Sequence, residues 1–149
     1  MSPTALAIVL AALAGVAIAT QQVFNGGLRH AIGSIWWAGL VSYLGGTAFM
    51  VATLLVTRAA VPAAASLRQV TAIQWTGGVL GGVYIILSLF ALPRLGVALV
   101  LALVVVGQMA ASLTFDQFGL FGVPRHSVSL VRVLGAFALV AGVVLIKVG

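Results

Sequence analysis

Between Pro3 and Phe24 the chain runs 22 residues without a charged side chain, and Ser34 to Val56, Thr71 to Leu92 and Gly96 to Phe115 are likewise uncharged over 20 to 23 residues each. A fifth apolar run, Val128 to Val148, carries only Arg132 near its start and Lys147 near its end. A helix rises about 1.5 Å per residue, so about 20 residues cross the roughly 30 Å hydrocarbon layer of a bilayer. In that layer each backbone N–H and C=O must be paired within the protein, which a helix achieves by itself. The fold class expected is therefore all-α: a polytopic transmembrane bundle of five helices in a single domain over residues 1–149. The expected spans are 3–24, 34–56, 71–92, 96–115 and 128–148, which leaves no room for a soluble domain.

Composition excludes several functions. Apolar residues make up 63% of the chain and charged residues 5%, against about 25% charged in globular proteins. The net charge of +6 comes from seven Lys and Arg against one acid. These cations are scattered singly along the chain, so no basic stripe exists for nucleic acid; they suit headgroups and helix ends instead. There is no cysteine, hence no thiolate, disulfide or cysteine metal site. No nucleophile triad of plausible depth, nucleotide loop or cofactor box is present. "TGGVLGG" is rich in glycine but follows no strand, so it lacks the context of a dinucleotide fingerprint. The chain is read as a non-enzyme with no cofactor and no metal. Ala5 to Ala19 ends in Ala17-Ile18-Ala19, which imitates a signal-peptide cleavage site. No Lys or Arg precedes it, so this stretch reads as the first membrane helix.

Turn residues set the connections. Asn25 to Gly33 is expected to form the first turn, and Thr57 to Val70 the longest loop, along the interface. Pro93 to Gly96 is expected to form a tight turn, because Pro93 disfavours helical geometry at Leu92 and Gly96 relieves the next start. Asp116 to His126 is the fourth connection, packed on the bilayer edge by Phe118, Leu120, Phe121 and Val123. Five spans put the two chain ends on opposite sides. One side then carries Arg58, Arg68, Arg125 and Arg132, the other Arg29, Arg94 and Lys147. That near-balance gives the positive-inside rule almost nothing to read, and either orientation is permitted.

Gly77, Gly78, Gly81 and Gly82 form two overlapping GxxxG patterns that allow close backbone approach, within one subunit or between two. Ala11, Gly15 and Ala19 on the first span and Ala138 and Gly142 on the last act alike. Gln108, Ser112 and Asp116 recur every four residues and drift only about 40° per step, forming a polar strip on the fourth span. Gln21 and Asn25 do the same at the end of the first. In hydrocarbon such groups face a partner or a wet cavity. For Gln108, near mid-span, the alternatives are an interhelical hydrogen bond and a substrate contact. Asp116, the one side-chain carboxylate, either pairs with Arg125 or Arg132 or carries a coupling proton. Arg132 either snorkels to the interface or meets a substrate anion. His30 and His126 fall on opposite sides of one subunit, too far apart to share a metal. Trp36, Trp37 and Trp75 lie near span starts, at headgroup level or lining a cavity. Tyr43 and Tyr84 lie deeper, lining a pocket or bonding a neighbouring backbone.

The segments "QQVFN", "WTGGVLGGVY", "LPRLGVAL", "VGQMAASLTFDQFGLFG" and "RVLGAFALVAGVVLI" together resemble the YdcZ-like family of the drug/metabolite transporter superfamily. The order Trp-x-Gly-Gly, Pro-x-x-Gly, Gly-Gln, Asp-x-Phe-Gly and Arg-x-x-Gly carries that resemblance over nearly the whole chain. Gln21, Asn25, Trp75, Gly77, Gly78, Pro93, Gly96, Gly107, Gln108, Asp116, Phe118, Gly119, Arg132 and Gly135 stand at its motif positions. The resemblance implies a small multi-pass exporter of the bacterial inner membrane, and a fold like one five-helix half of an inverted repeat. Balanced flanking charge fits such a half, with a second copy supplying the other. The partner expected is therefore an antiparallel homodimer, besides membrane lipid and a small-molecule substrate. In small multidrug-resistance relatives a glutamate sits midway along the first helix; here no acid does, so a drug-cation antiport by that route is not expected. A neutral, zwitterionic or anionic substrate held by Gln108, Ser112, Asn25, Gln21, Tyr43, Tyr84 and Trp75 fits better.

The function expected is secondary-active transport by alternating access, with Asp116, Arg132, Arg125, His126 and His30 in coupling or gating. In an antiparallel pair His30 of one subunit lies on the same side as His126, Asp116 and Arg132 of the other, where a pH-sensitive gate could form. Two rivals stand beside this reading: a noncatalytic membrane scaffold whose polar strips only knit helices together, and a channel-like dimer.

Overall fold

A computed structural model describes Ser2–Gly149. Its elements are α1 (Pro3–Ile32), α2 (Ile35–Thr57), a single turn α3 (Ala64–Leu67), α4 (Gly77–Phe118) and α5 (Leu130–Val148), with short 3-10 turns at Gln74–Thr76 and Leu120–Gly122. No strand occurs among the described residues. The protein is an all-α membrane bundle, and α1, α2, α5 and the segment Gln74–Phe118 are each long and apolar enough to cross a bilayer.

Local sequence explains where the helices begin and end. Ser2, Ser34 and Ser129 cap α1, α2 and α5, each hydroxyl accepting a backbone N–H three residues on. α1 runs to Ile32, through the stretch Asn25 to Gly33 that was expected to be a turn. Gly26 and Gly27 each weaken a helix by about 1 kcal/mol relative to alanine, but two features of the real end outweigh them. Gly33 takes a left-handed conformation, φ 72°, and donates its N–H to Arg29 O. Arg29 and His30 in the last turn complement the helix dipole. The turn to α2 is thus only Gly33 and Ser34.

The expected break at Pro93 to Gly96 is narrower than a turn. Pro93 lies inside α4, and the one non-helical residue is Gly96, at φ 72°, ψ 168°. Only glycine occupies that region without strain. Proline lacks the N–H that would otherwise bond the carbonyl of Leu89, so the helix is weakened a turn before it breaks.

The chain divides into two compact units, residues 1–91 and 92–149. In the first, α1, α2 and the N-terminal part of α4 meet around a small core of Ala38, Ile85 and Leu89, flanked by Leu28, Ile35, Tyr43 and Tyr84. Small residues let α2 and α4 close: Gly39 is buried, with space for a methyl group only 3.6 Å from Ile85. At the other end of this contact the Tyr43 hydroxyl donates to Gly78 O at 2.9 Å. Of the four glycines in "TGGVLGG", Gly81 is the one whose hydrogen faces an obstacle; a Cβ there would collide with the Tyr43 hydroxyl, whereas Gly77, Gly78 and Gly82 have open space. The hydroxyls of Thr20, Thr53, Thr57 and Thr114 bond carbonyls one turn back in their own helices. Their polarity is satisfied without a neighbour.

In the second unit α5 lies against the C-terminal part of α4. Two grooves run between them, and Met109, Leu113 and Ala136 line both. α4 contributes positions 109, 112, 113 and 116 to one groove and α5 contributes 132, 135, 136 and 139. Both sets follow the three-and-four spacing of one helix face.

Gly81→Ala tests the α2–α4 approach. Overpacking against Tyr43 is expected to destabilise the protein by about 1–3 kcal/mol, whereas the same substitution in a Tyr43→Phe background, which lacks the offending oxygen, is expected to be close to neutral. Thermal unfolding of the four proteins of this cycle in detergent gives the coupling.

Candidate functional site

Two polar constellations emerge, one in each unit. The first is a cleft of about 390 Å³ lined by Gln21, Ser42, Tyr43, Gly46, Thr47, Met50, Gly81, Tyr84 and Ile85. Its α2 residues recur at four-residue steps and its α4 residues at three and four, so one face of each helix supplies the walls. The cleft has no charged lining residue. Gln21 Nε2 reaches Ser42 Oγ at 3.5 Å, a long contact, and the Gln21 side chain is otherwise available to the cleft.

Behind this wall sit the buried polar groups. Gln22 is fully buried and donates from Nε2 to the Tyr84 hydroxyl at 2.6 Å. Asn25, 5% exposed, is one turn further along α1. Gln22 Oε1 and Asn25 Nδ2 are both buried without a hydrogen-bond partner. A buried polar atom left unpaired costs about 1–3 kcal/mol, so two together on adjacent turns of one helix stand out. Ser88, one turn beyond Tyr84 on α4, is also buried.

The second constellation joins the ends of α4 and α5. Arg132 Nη1 lies 3.1 Å from Asp116 Oδ2, with side-chain exposures of 45% and 28%. The alternatives that the sequence left for Asp116's partner resolve to Arg132. Arg125 instead donates from Nε to Gln117 O, and the His126 backbone N–H donates to Asp116 O. Gln117 Oε1 accepts from the Val128 backbone N–H at 2.7 Å. The carbonyls that α4 leaves open at its C-terminus are thus met by the connection that follows. Asp116 lies in the last turn of α4 and Arg132 in the first turn of α5. Each charge opposes its own helix dipole, and each is compensated by the other.

The structure brings Gln21, Tyr43 and Tyr84 together in the cleft, with Asn25 buried nearby on α1. Tyr43 fills both roles the sequence allowed, lining the cleft while bonding a backbone carbonyl. Trp75 is 64% exposed in the 3-10 turn before α4 and is not part of the cleft lining. Ser112 and Asp116 share one groove of the second unit, but Gln108 does not line it. Two steps of four residues rotate Gln108 by about 80° from Asp116, enough to leave the groove; Gln108 is exposed. The Ser112 hydroxyl donates to Met109 O at 3.0 Å. His30 lies in the last turn of α1. No group of three or more His, Cys, Asp or Glu that could hold a metal occurs among the described residues.

Gln22, Ser42, Thr47 and Ser88 are the polar residues that sequence reasoning passed over. Gln22 had a signal: it stands three residues before Asn25, about 60° from that residue's helix face, against about 40° for Gln21 at four. Only packing decides between the two glutamines.

The ion pair yields a sharp expectation. Exposed pairs contribute about 0.2–1 kcal/mol, and each helix-end charge about 0.3–1 kcal/mol. Asp116→Arg or Arg132→Asp alone should lower the unfolding temperature, because each places like charges together. The double exchange restores attraction and puts both charges on the favourable helix ends, so it should be at least as stable as the wild type; thermal unfolding of the three variants decides.

A family model described as "Putative inner membrane exporter, YdcZ" matches residues 6–145. No curated protein and no solved structure matches the chain.

Proposed function

Because the chain belongs to the YdcZ family of inner-membrane exporters, we propose that it is a secondary transporter whose substrate occupies the cleft of the first unit. It is a multi-pass inner-membrane protein. The observation that carries the proposal is the uncharged cleft whose Tyr84 hydroxyl accepts from the buried Gln22, together with the unpaired polar atoms Gln22 Oε1 and Asn25 Nδ2 on the same helix. A membrane helix rarely keeps two buried amides with open hydrogen-bonding capacity for structure alone. Such groups suit a ligand that arrives with its own donor and acceptor and leaves again.

Chemistry narrows the ligand. With no ionisable group but the tyrosines lining the cleft, nothing there compensates a full charge taken out of water. Hydroxyl or amide groups on an otherwise apolar body match Gln21, Ser42, Thr47 and Tyr84 above Met50 and Ile85. The substrate class is therefore an uncharged amphiphile, the neutral member of the options that the sequence left open. In detergent, uncharged hydroxyl- and amide-bearing probes should raise the unfolding temperature, and a quaternary-ammonium dye should not. Tyr84→Phe or Gln22→Leu should weaken binding of a stabilising probe about 10- to 100-fold, the equivalent of one or two hydrogen bonds to a buried partner. Stabilisation by the cation, surviving both substitutions, would remove the cleft as the substrate site.

The same proposal includes a second copy in the opposite orientation, so that alternating access uses two inverted subunits. The apolar runs 71–92 and 96–115, each long enough to cross the bilayer, support a reading with five crossings and an odd-numbered half. Gln108 supports the partner, since an exposed carboxamide deep in an apolar helix is poorly placed against lipid. The chain has no cysteine, so Gln108→Cys is a clean probe. It is expected to cross-link between copies in native membranes, and reporter fusions at Gly149 should give signal on both faces of the membrane. One-sided signal with no cross-link would exclude the antiparallel pair.

A further inference from the structure

The groove beside the Asp116–Arg132 pair belongs to the second unit, and the transport reading does not use it. It measures about 390 Å³ and is lined by Met109, Ser112, Leu113, Asp116, Arg132, Gly135, Ala136 and Leu139. The charged residues stand together at one end; the remaining walls are apolar apart from Ser112, whose hydroxyl is already bonded to Met109 O. From Asp116 down to Met109 the groove follows α4 for about two turns, on the order of 10 Å. Gly135 has nothing within 4 Å of the place a Cβ would take, so the groove is open there. Polar at one end and apolar along its length, it has the form of a lipid site.

The chemistry of the polar end selects the headgroup. The ion pair is monodentate, one guanidinium nitrogen to one carboxylate oxygen, and both side chains remain partly accessible. Asp116 Oδ1 is therefore left to accept, and Arg132 Nε and Nη2 to donate. Arginine matches phosphate with paired N–H donors, and the carboxylate matches a primary ammonium. An ethanolamine phospholipid offers both at the two ends of one short linker. A glycerol headgroup brings the phosphate but no cation, leaving Asp116 against added negative charge. A choline headgroup brings a cation with no N–H to give the carboxylate. We propose that this groove is a binding site for phosphatidylethanolamine, its phosphate on Arg132, its ammonium on Asp116 and an acyl chain along Gly135, Ala136 and Leu139.

The test is native mass spectrometry of the full chain, released from detergent with added phosphatidylethanolamine, phosphatidylglycerol or phosphatidylcholine of identical acyl chains. Phosphatidylethanolamine should be retained at least several-fold better than either rival. Asp116→Asn should abolish that preference over phosphatidylglycerol while Arg132 still holds phosphate. Gly135→Leu should reduce retention of every lipid with the ion pair intact. Glycerophosphoethanolamine, which has the headgroup without the chains, should not be retained. Equal retention of the three lipids by the wild-type protein overturns the proposal without recourse to any variant. So does unaltered selectivity in Asp116→Asn, undiminished retention in Gly135→Leu, or cross-linking of Ser112→Cys between copies, which would give the groove to a second chain.

Discussion

An unmet polar group in hydrocarbon costs far more than in water, and that penalty shapes nearly everything in this protein. Each long segment is a helix because only a helix closes its own backbone hydrogen bonds. Four threonine hydroxyls and that of Ser112 bond carbonyls of the same helix, which makes them polar in composition but quiet in chemistry. With so much satisfied locally, few side chains hold one helix to another. The core of the first unit is three residues.

That economy gives meaning to the exceptions. Gln22 and Asn25 are buried where a pair of apolar side chains would fill the same space without leaving atoms unpaired. Asp116 and Arg132 sit at helix ends where each charge is disfavoured by its own helix and tolerated because of the other. Both constellations carry unused capacity for hydrogen bonding, and both adjoin open space. One is uncharged and lies within the helices of the first unit; the other is zwitterionic and joins two helix ends. Different ligands follow from that difference alone.

The fold class was legible in the sequence because it rests on run length and the lack of charge, which no tertiary contact can override. Helix ends were less legible. Gly26 and Gly27 look like a turn, but capping at Gly33 outweighs them, and a capping advantage of this kind is visible only once the left-handed residue is located. The break expected over Pro93 to Gly96 narrows to Gly96, since proline weakens the preceding turn without dictating where the chain leaves the helix. Period-four spacing placed Ser112 and Asp116 on one face and failed for Gln108, because a small drift per step accumulates. The choice between Gln21 and Gln22 depends on which neighbour packs against α1, information that adjacent identical residues cannot hold.

The first half of α1 has a consequence for how the protein is made. From Leu6 to Val16 its large apolar side chains are 45–64% exposed, with no buried face among them. A helix with no internal partner gains nothing by waiting for the rest of the chain, and its Leu, Ile and Val side chains favour lipid one residue at a time. It can leave the insertion machinery alone, long before α4 exists to pack against Gln22. The amide-bearing turns at its far end then enter the membrane before Tyr84 is available to them. The order of synthesis thus places the costliest polar groups in the hydrocarbon first, and the assembly of α2 and α4 around them becomes the step that relieves the penalty.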